Sequence, residues 1–290
     1  MMQKILIAGL LLLLSGCGVD KFFIERAVNN VEKDVVKELN KFATLTDEQA
    51  ALARSIAQQA DQWVRDDIVM TLASHIDAMA NDVETQGTLR VETWDQLTEF
   101  FYRPLPLSKN QVLVNQVALF FYQMDDAQDK EVREKLIEDY DERKEERDER
   151  DLKEQKKRIA STLKTIFRGL GVKRSKAQLD EMKQILDARR DVGELTNQYY
   201  LEVNEVFLDL TESKGMFENE FAPAYQAAWV KLEDGPSTRH PAEFKYNADN
   251  GLDAINYLFS TLSLTERKEA AVVMREYRDF FIGLSGTKES

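Results

Sequence analysis

Few side chains in this chain are of a type that by itself suggests covalent or metal chemistry. There is one thiol, Cys17, and there are two imidazoles, His75 and His240. A lone thiol has no disulfide partner and cannot build a thiolate metal site. His75 lies beside Ile76 with Met79 one turn on, where a helix would make it a partly buried structural histidine. His240 stands between Arg239 and Pro241 in the stretch 234–247, DGPSTRHPAEFKYN, which reads as a long loop. A metal site needs several convergent ligands, and neither histidine has a cysteine or second histidine at ligand spacing. The chain has no glycine-rich phosphate loop, no Gly-x-Ser-x-Gly elbow and no His-Glu-x-x-His. Its 52 acidic residues are too dense for any close carboxylate pair to carry meaning. The expectation is a protein that is not an enzyme and holds no metal or cofactor.

Cys17 gains its meaning from what precedes it. Lys4 is the only charge before it, and Ile5 to Leu14 form an apolar run. A bilayer core takes roughly 20 apolar residues to cross as a helix, so this run is too short to span. It has the layout of a cleavable signal peptide, residues 1–16. The run ends in Leu14-Ser15-Gly16-Cys17, which resembles the lipobox of bacterial lipoproteins: an aliphatic residue, two small ones and a cysteine. The resemblance implies lipidation of Cys17, cleavage just before it, and a short tether over residues 17–21. Each buried lipid methylene contributes about 0.8 kcal/mol, and two or more chains hold a protein stably on a bilayer. Gly18 follows the cysteine where an aspartate would favour inner-membrane retention. That implies the outer membrane of a Gram-negative bacterium, with the body in the periplasm.

Composition bounds the body. Residues 17–290 are long enough to bury a sizeable core. The formal charge is −13, and loss of Lys4 with the leader makes it −14. So acidic a surface is repelled by phosphate backbones, which argues against nucleic acid as a partner. With only 12 Gly and 5 Pro to interrupt it, the chain favours long helices. The fold class expected is all-α, an elongated multi-helix bundle with a long charged central helix.

The apolar periodicity supports this. Ile24, Val28, Val31, Val35, Leu39 and Phe42 recur at helical steps over about 22–42. Thr46 starts a helix that runs to Gly87, with a bend near Asp66-Asp67, and a short helix over Val91–Phe101 ends at Pro104 and Pro106. Ser108 opens the next helix. Residues 141–151, DERKEERDERD, are all charged, so no side chain there can bury an apolar face. The opposite charges Glu131–Lys135, Asp139–Arg143, Glu146–Arg150 and Glu149–Lys153 fall at helical spacing, each pair worth about 0.2–0.5 kcal/mol. The reading is a long solvated helix joining packed parts, with a disordered linker as the alternative. Ile159 to Leu170 restore a stripe, and Gly169 and Gly171 suit the turn after it. A long helix runs from Ser175 through Leu210, another carries Phe217, Phe221, Tyr225 and Trp229, and two more cover about 249–262 and 265–284. The organisation is thus an N-terminal helical part 22–124, a charged connector 125–158 and a C-terminal helical part 159–290. Trp63, Trp94, Phe120, Phe121, Phe207, Phe221 and Trp229 fall on helical stripes and read as core.

Helix starts share a signature. Thr46-x-x-Gln49, Ser108-x-x-Gln111 and Ser175-x-x-Gln178 each read as a capping box, and Leu264-Thr265-Glu266-Arg267 begins the last helix without the glutamine. The lipobox, Leu45-Thr46-Asp47-Glu48-Gln49, the Trp63–Arg65 pair, the capped helix at Ser108, the charged helix and the Gly169-Leu170-Gly171 turn before Ser175 together resemble one lipoprotein family. It is catalogued only as domain of unknown function 6279. The resemblance covers about residues 10–235 and implies an all-helical lipoprotein anchored in the outer membrane. Leu45 to Gln49 also resembles the Leu-Thr-x-x-Gln motif of small periplasmic chaperones. The leading expectation is a non-enzymatic binding or scaffolding protein of the envelope. Its partners would be the bilayer, through acylated Cys17, and another envelope protein. The alternative is a holdase-like periplasmic chaperone.

Overall fold

The computed structural model describes residues 21–102, 107–148, 152–212 and 214–285. Cys17, Pro104 and Pro106, and the Arg150 and Glu149 ends of two expected ion pairs lie outside them. The described chain is all-α and multi-helical, without a strand.

The first apolar stripe is buried as expected, but on two helices. These are α1 (Lys21–Asn29) and α2 (Val31–Leu39), which meet at Asn30, where φ is −101° and ψ is 1°. The helix that starts at Thr46 also bends where expected. It runs as α3 (Asp47–Trp63), a π-helical turn (Val64–Val69) and α4 (Met70–Gln86). The wider turn rotates the stripe so that Trp63, Val64 and Arg65 and then Ile68, Val69 and Leu72 all face inward. Gly87 ends α4 at φ +73°, a conformation that only glycine adopts freely. A short α5 (Val91–Tyr102) and a single 3-10 turn (Leu107–Lys109) lead to α6 (Gln111–Tyr122), α7 (Asp126–Asp148) and α8 (Leu152–Gly169). Then follow α9 (Lys176–Asp187), α10 (Gly193–Glu212), a π-helical turn (Phe217–Phe221) and α11 (Ala222–Asp234). The last two are α12 (Pro241–Ser260) and α13 (Leu264–Leu284).

Four local expectations fail, each for a tertiary or capping reason. Ser108 does not cap α6: its N–H donates to Glu233 Oε1 at 2.6 Å and its hydroxyl to Glu233 Oε2, and Asn110 caps the helix instead, accepting from Leu113 N–H at 3.1 Å. The long helix from Ser175 breaks after Asp187. The Asn247 amide from α12 clamps Arg190, accepting from its N–H at 2.9 Å and donating to its carbonyl at 3.0 Å, while Asn250 donates to the Ile185 carbonyl. The loop 234–247 is short, because Pro236–Thr238 forms a 3-10 turn and Pro241 already starts α12. Proline suits that first position, where its missing N–H costs nothing. The cap of α13 is Ser263, one residue before Leu264, in a capping box with Glu266. The boxes at Thr46 and Ser175 form as expected.

Two cores result. One gathers α1, α2, α3 and α6 with Val132, Phe221, Tyr225 and Phe281. The other gathers α8, α9 and α12 with Ala80 and Val83 of α4 and Ala270, Ala271 and Met274 of α13. Helices α4 and α13 pack along each other and run through both, stitched by Arg275–Glu84 at 2.5 Å and Arg278–Asp77 at 2.6 Å. Both cores draw on residues from either side of the charged segment. Every described core residue lies between Ile24 and Phe281, so a chain begun at Gly18 keeps both cores whole.

Arg65 fixes where two helix ends meet. Its side chain is 5% exposed and pairs with Asp61 at 3.1 Å. One Nη donates to the Leu284 carbonyl at the end of α13, and the other donates to the Val28 carbonyl and Asn29 Oδ1 at the end of α1. A cation there complements the negative ends of both helices and satisfies carbonyls that have no partner within the helix. Arg65→Ala is therefore expected to lower unfolding free energy by about 3–5 kcal/mol in urea titrations, because it removes the cation beside a buried carboxylate and the donor to three acceptors.

Candidate binding cavity

The charged helix α7 is docked along its first half, while the described part of the charged run, 141–146, is exposed apart from the half-buried Arg143. At its N-terminal end Gln128 and Val132 are buried, and Leu136 follows on the same face. The next residues on that face are Asp139, Tyr140 and Arg143, so the apolar stripe runs out in mid-helix. A neighbouring helix cannot close against charges as it would against leucines. Beneath this part of α7 lies a cavity of about 390 Å³.

Its position follows from how α7 is held. The amides of Gln49 and Gln128 form a reciprocal pair: Gln49 Nε2 donates to Gln128 Oε1 at 2.9 Å, and Gln128 Nε2 donates to Gln49 Oε1 at 2.8 Å. Each glutamine also closes its own helix start. Gln49 Oε1 accepts the Thr46 N–H at 2.9 Å, and Gln128 Oε1 accepts the Asp125 N–H at 3.1 Å, while Asp125 Oδ1 accepts from Gln128 N–H. The starts of α3 and α7 are therefore one hydrogen-bonded unit. The Asp125-x-x-Gln128 box is a local pattern that the sequence carries; the pairing of the two boxes across 79 residues is not. Glu131, expected to pair with Lys135, accepts the Thr44 N–H at 2.9 Å instead, and Lys135 pairs with Glu138 and Asp139. The expected Asp139–Arg143 pair forms at 3.6 Å.

Helix α10 runs antiparallel to α7 and closes the far side. Arg133 pairs with Glu212, and Lys214 pairs with Asp129 at 2.5 Å and donates to the Met124 carbonyl at 2.9 Å. Burial pushes the Asp129 carboxyl above its ordinary range, against the pull of Lys214. Val203, Phe207 and Leu210 of α10 face α7 across the cavity, and Val35, Leu39 and Phe42 close the N-terminal side.

The floor is aromatic. Tyr225 lies at its centre, 6.0 Å from Phe121, 5.8 Å from Phe207, 6.0 Å from Phe221 and 6.4 Å from Trp229. Burial pushes the Tyr225 hydroxyl far above the ordinary phenol range, so it stays protonated at any physiological pH. Two polar atoms in the lining are buried without a hydrogen-bond partner among the described residues: the Trp229 indole nitrogen and the Arg143 Nε. The chemistry on offer is apolar enclosure with unused donors.

The residues singled out by type lie elsewhere. Cys17 is outside the described residues. His75 is half-buried on α4, its ring 5.4 Å from Phe100, as a structural histidine would be. Burial lowers its pKa, and Glu99 opposes that. His240 stands at the start of α12 rather than within a loop. Neither lines the cavity. Among the described residues no group of three or more His, Cys, Asp or Glu is placed to hold a metal. Comparison with family profiles, with curated proteins and with solved structures finds no match to this chain.

Two outcomes follow. Gln49→Ala and Gln128→Ala should each cost about 2–3 kcal/mol by urea unfolding, since each leaves buried amide and backbone groups unpaired. The double variant should cost at least about 1 kcal/mol less than the sum. For His75, the folded-state pKa is depressed, so the unfolded chain binds the extra proton first. Stability is then full above the unfolded value of about 6.5 and declines as pH falls below it, levelling once the folded-state pKa is passed. In His75→Gln that decline between neutral pH and about pH 5 should flatten.

Proposed function

We propose that this protein is a lipoprotein anchored through acylated Cys17 in the outer membrane of a Gram-negative bacterium, with a periplasmic body that binds another envelope component without chemistry. The observation that carries the binding role is the cavity under α7: an apolar space with an aromatic floor, at the place where a helix turns charges inward. Pockets of a few hundred Å³ with an apolar lining and few polar groups are the usual form of ligand sites. The lipobox supports the anchoring. Among the described residues no helix is long and apolar enough to cross a membrane, so the lipid is the attachment this reading invokes. Kinship with the lipoproteins of domain of unknown function 6279 belongs to the same reading and rests on the lipobox, Leu45 to Gln49 and the Trp63–Arg65 pair.

The test has two parts in the native host. Cells grown with labelled palmitate should label the wild-type chain and not Cys17→Ala, which should also leave the membrane fraction. A photoreactive benzoylphenylalanine in place of Phe207 should capture a discrete envelope component on illumination. An unlabelled wild-type chain overturns the anchoring. Capture of many unrelated unfolded proteins, with suppression of client aggregation in vitro, replaces the dedicated binder with the holdase alternative.

A further inference from the structure

Resting on the binding role above, we propose that the cavity under α7 takes a single long acyl chain, with the polar head of that amphiphile at the α7 rim beside Arg143. The lining is mostly aliphatic and aromatic, from Val35 and Leu39 through Val203 and Phe207 to Tyr225, and most of its polar side chains, Asp139, Tyr140, Arg143, Glu146, Tyr200 and Asn204, come from α7 and α10, with Glu38 of α2 and Thr211 near the end of α10 apart from them. That uneven split suits an amphiphile with its head group on the α7 side. Size argues the same way. An apolar cavity of about 150 Å³ admits benzene, with its six carbons, so 390 Å³ accommodates roughly sixteen. A head group at the rim would meet the Arg143 Nε, which the protein leaves buried and unpartnered, while the guanidinium is only loosely paired with Asp139 at 3.6 Å. Of the other charges in the lining, Glu38 is paired with Lys41 and Asp139 with Lys135, and Glu146 stands one helical turn beyond Arg143.

The experiment uses the body, residues 18–290, which retains both cores. Trp229 in the cavity wall is the reporter, and 9,10-dibromostearic acid the quencher. Saturable quenching is expected, and it should disappear in Trp229→Phe while retention of radiolabelled palmitate persists. Fatty acids of 8 to 20 carbons should displace the quencher with affinity rising about fourfold per methylene and reaching a plateau near sixteen carbons. Val203→Phe fills part of the space and should shorten the plateau by roughly two carbons, with helicity and melting temperature at or above the parent's. Palmitate and a sixteen-carbon lysophospholipid, compared side by side, distinguish a free fatty acid from a membrane lipid as the source of the chain. No saturable quenching at any length overturns the proposal, as does affinity that climbs past twenty carbons and ignores Val203→Phe. If fatty acids fail while benzoylphenylalanine at Phe207 still captures an envelope protein, the acyl-chain proposal falls alone. If both fail, the binding role falls with it.

Discussion

The paired amides of Gln49 and Gln128 are the constraint on which the rest of this architecture turns. A helix as charged as α7 has little to hold it to a protein. Its apolar stripe is two residues long, Val132 and Leu136, and beyond Leu136 it offers a core only charge and one phenol. What keeps it docked is polar and local. Two capping boxes, each sufficient to start its own helix, share their glutamines, so that the register of α7 is set against α3. The ion pairs to Glu212 and Lys214 then fix its direction along α10. Buried hydrogen bonds of this kind add little net energy when complete and cost much when half complete. They suit a helix that must stay in one place without a greasy face to seat it.

Arg65 solves a related problem at another point of the fold. The π-helical turn swings it inward, and there it serves the exposed carbonyl ends of α1 and α13 as well as Asp61. The extra width of the turn lets a cation and the apolar residues around it share the interior. Polar contacts placed at helix ends thus do much of the positioning, and apolar burial supplies the bulk stabilisation in the two cores.

The parts of this structure that short-range physics controls were legible in the sequence. Apolar residues at steps of three and four marked the helices, and hydroxyl-x-x-Gln marked the starts at Thr46 and Ser175, because every group involved lies within one turn. Legibility ended where a distant residue competes for a local one. Ser108 looks like a cap until Glu233, 125 residues on, takes both its hydrogen-bonding groups. The stripe from Ser175 to Leu210 looks unbroken until Asn247 claims Arg190. The cavity was invisible for a different reason. Phe121, Phe207, Tyr225 and Trp229 each read as core on their own helix, and they are; a void is a property of what fails to meet between helices. The charged run was legible as unable to bury a face, but not as the roof of a space that this inability creates.

On the proposed anchoring, the clamp at Arg65 also bears on how the molecule presents itself to a membrane. It gathers the first and last helices at one corner, and Lys21 reinforces this by lying 5.6 Å from the rings of both Tyr277 and Phe280. Cys17 is four residues before Lys21, a leash of at most about 14 Å when fully stretched. On the proposed anchoring, the corner that holds Ser285 rides close to the lipid headgroups. The body would then hang from that corner like a bell from its yoke, free to swing but not to drift away. A domain fused after Ser285 would crowd the bilayer, whereas one inserted at the turn around Gly171 would not be drawn to that corner by the clamp.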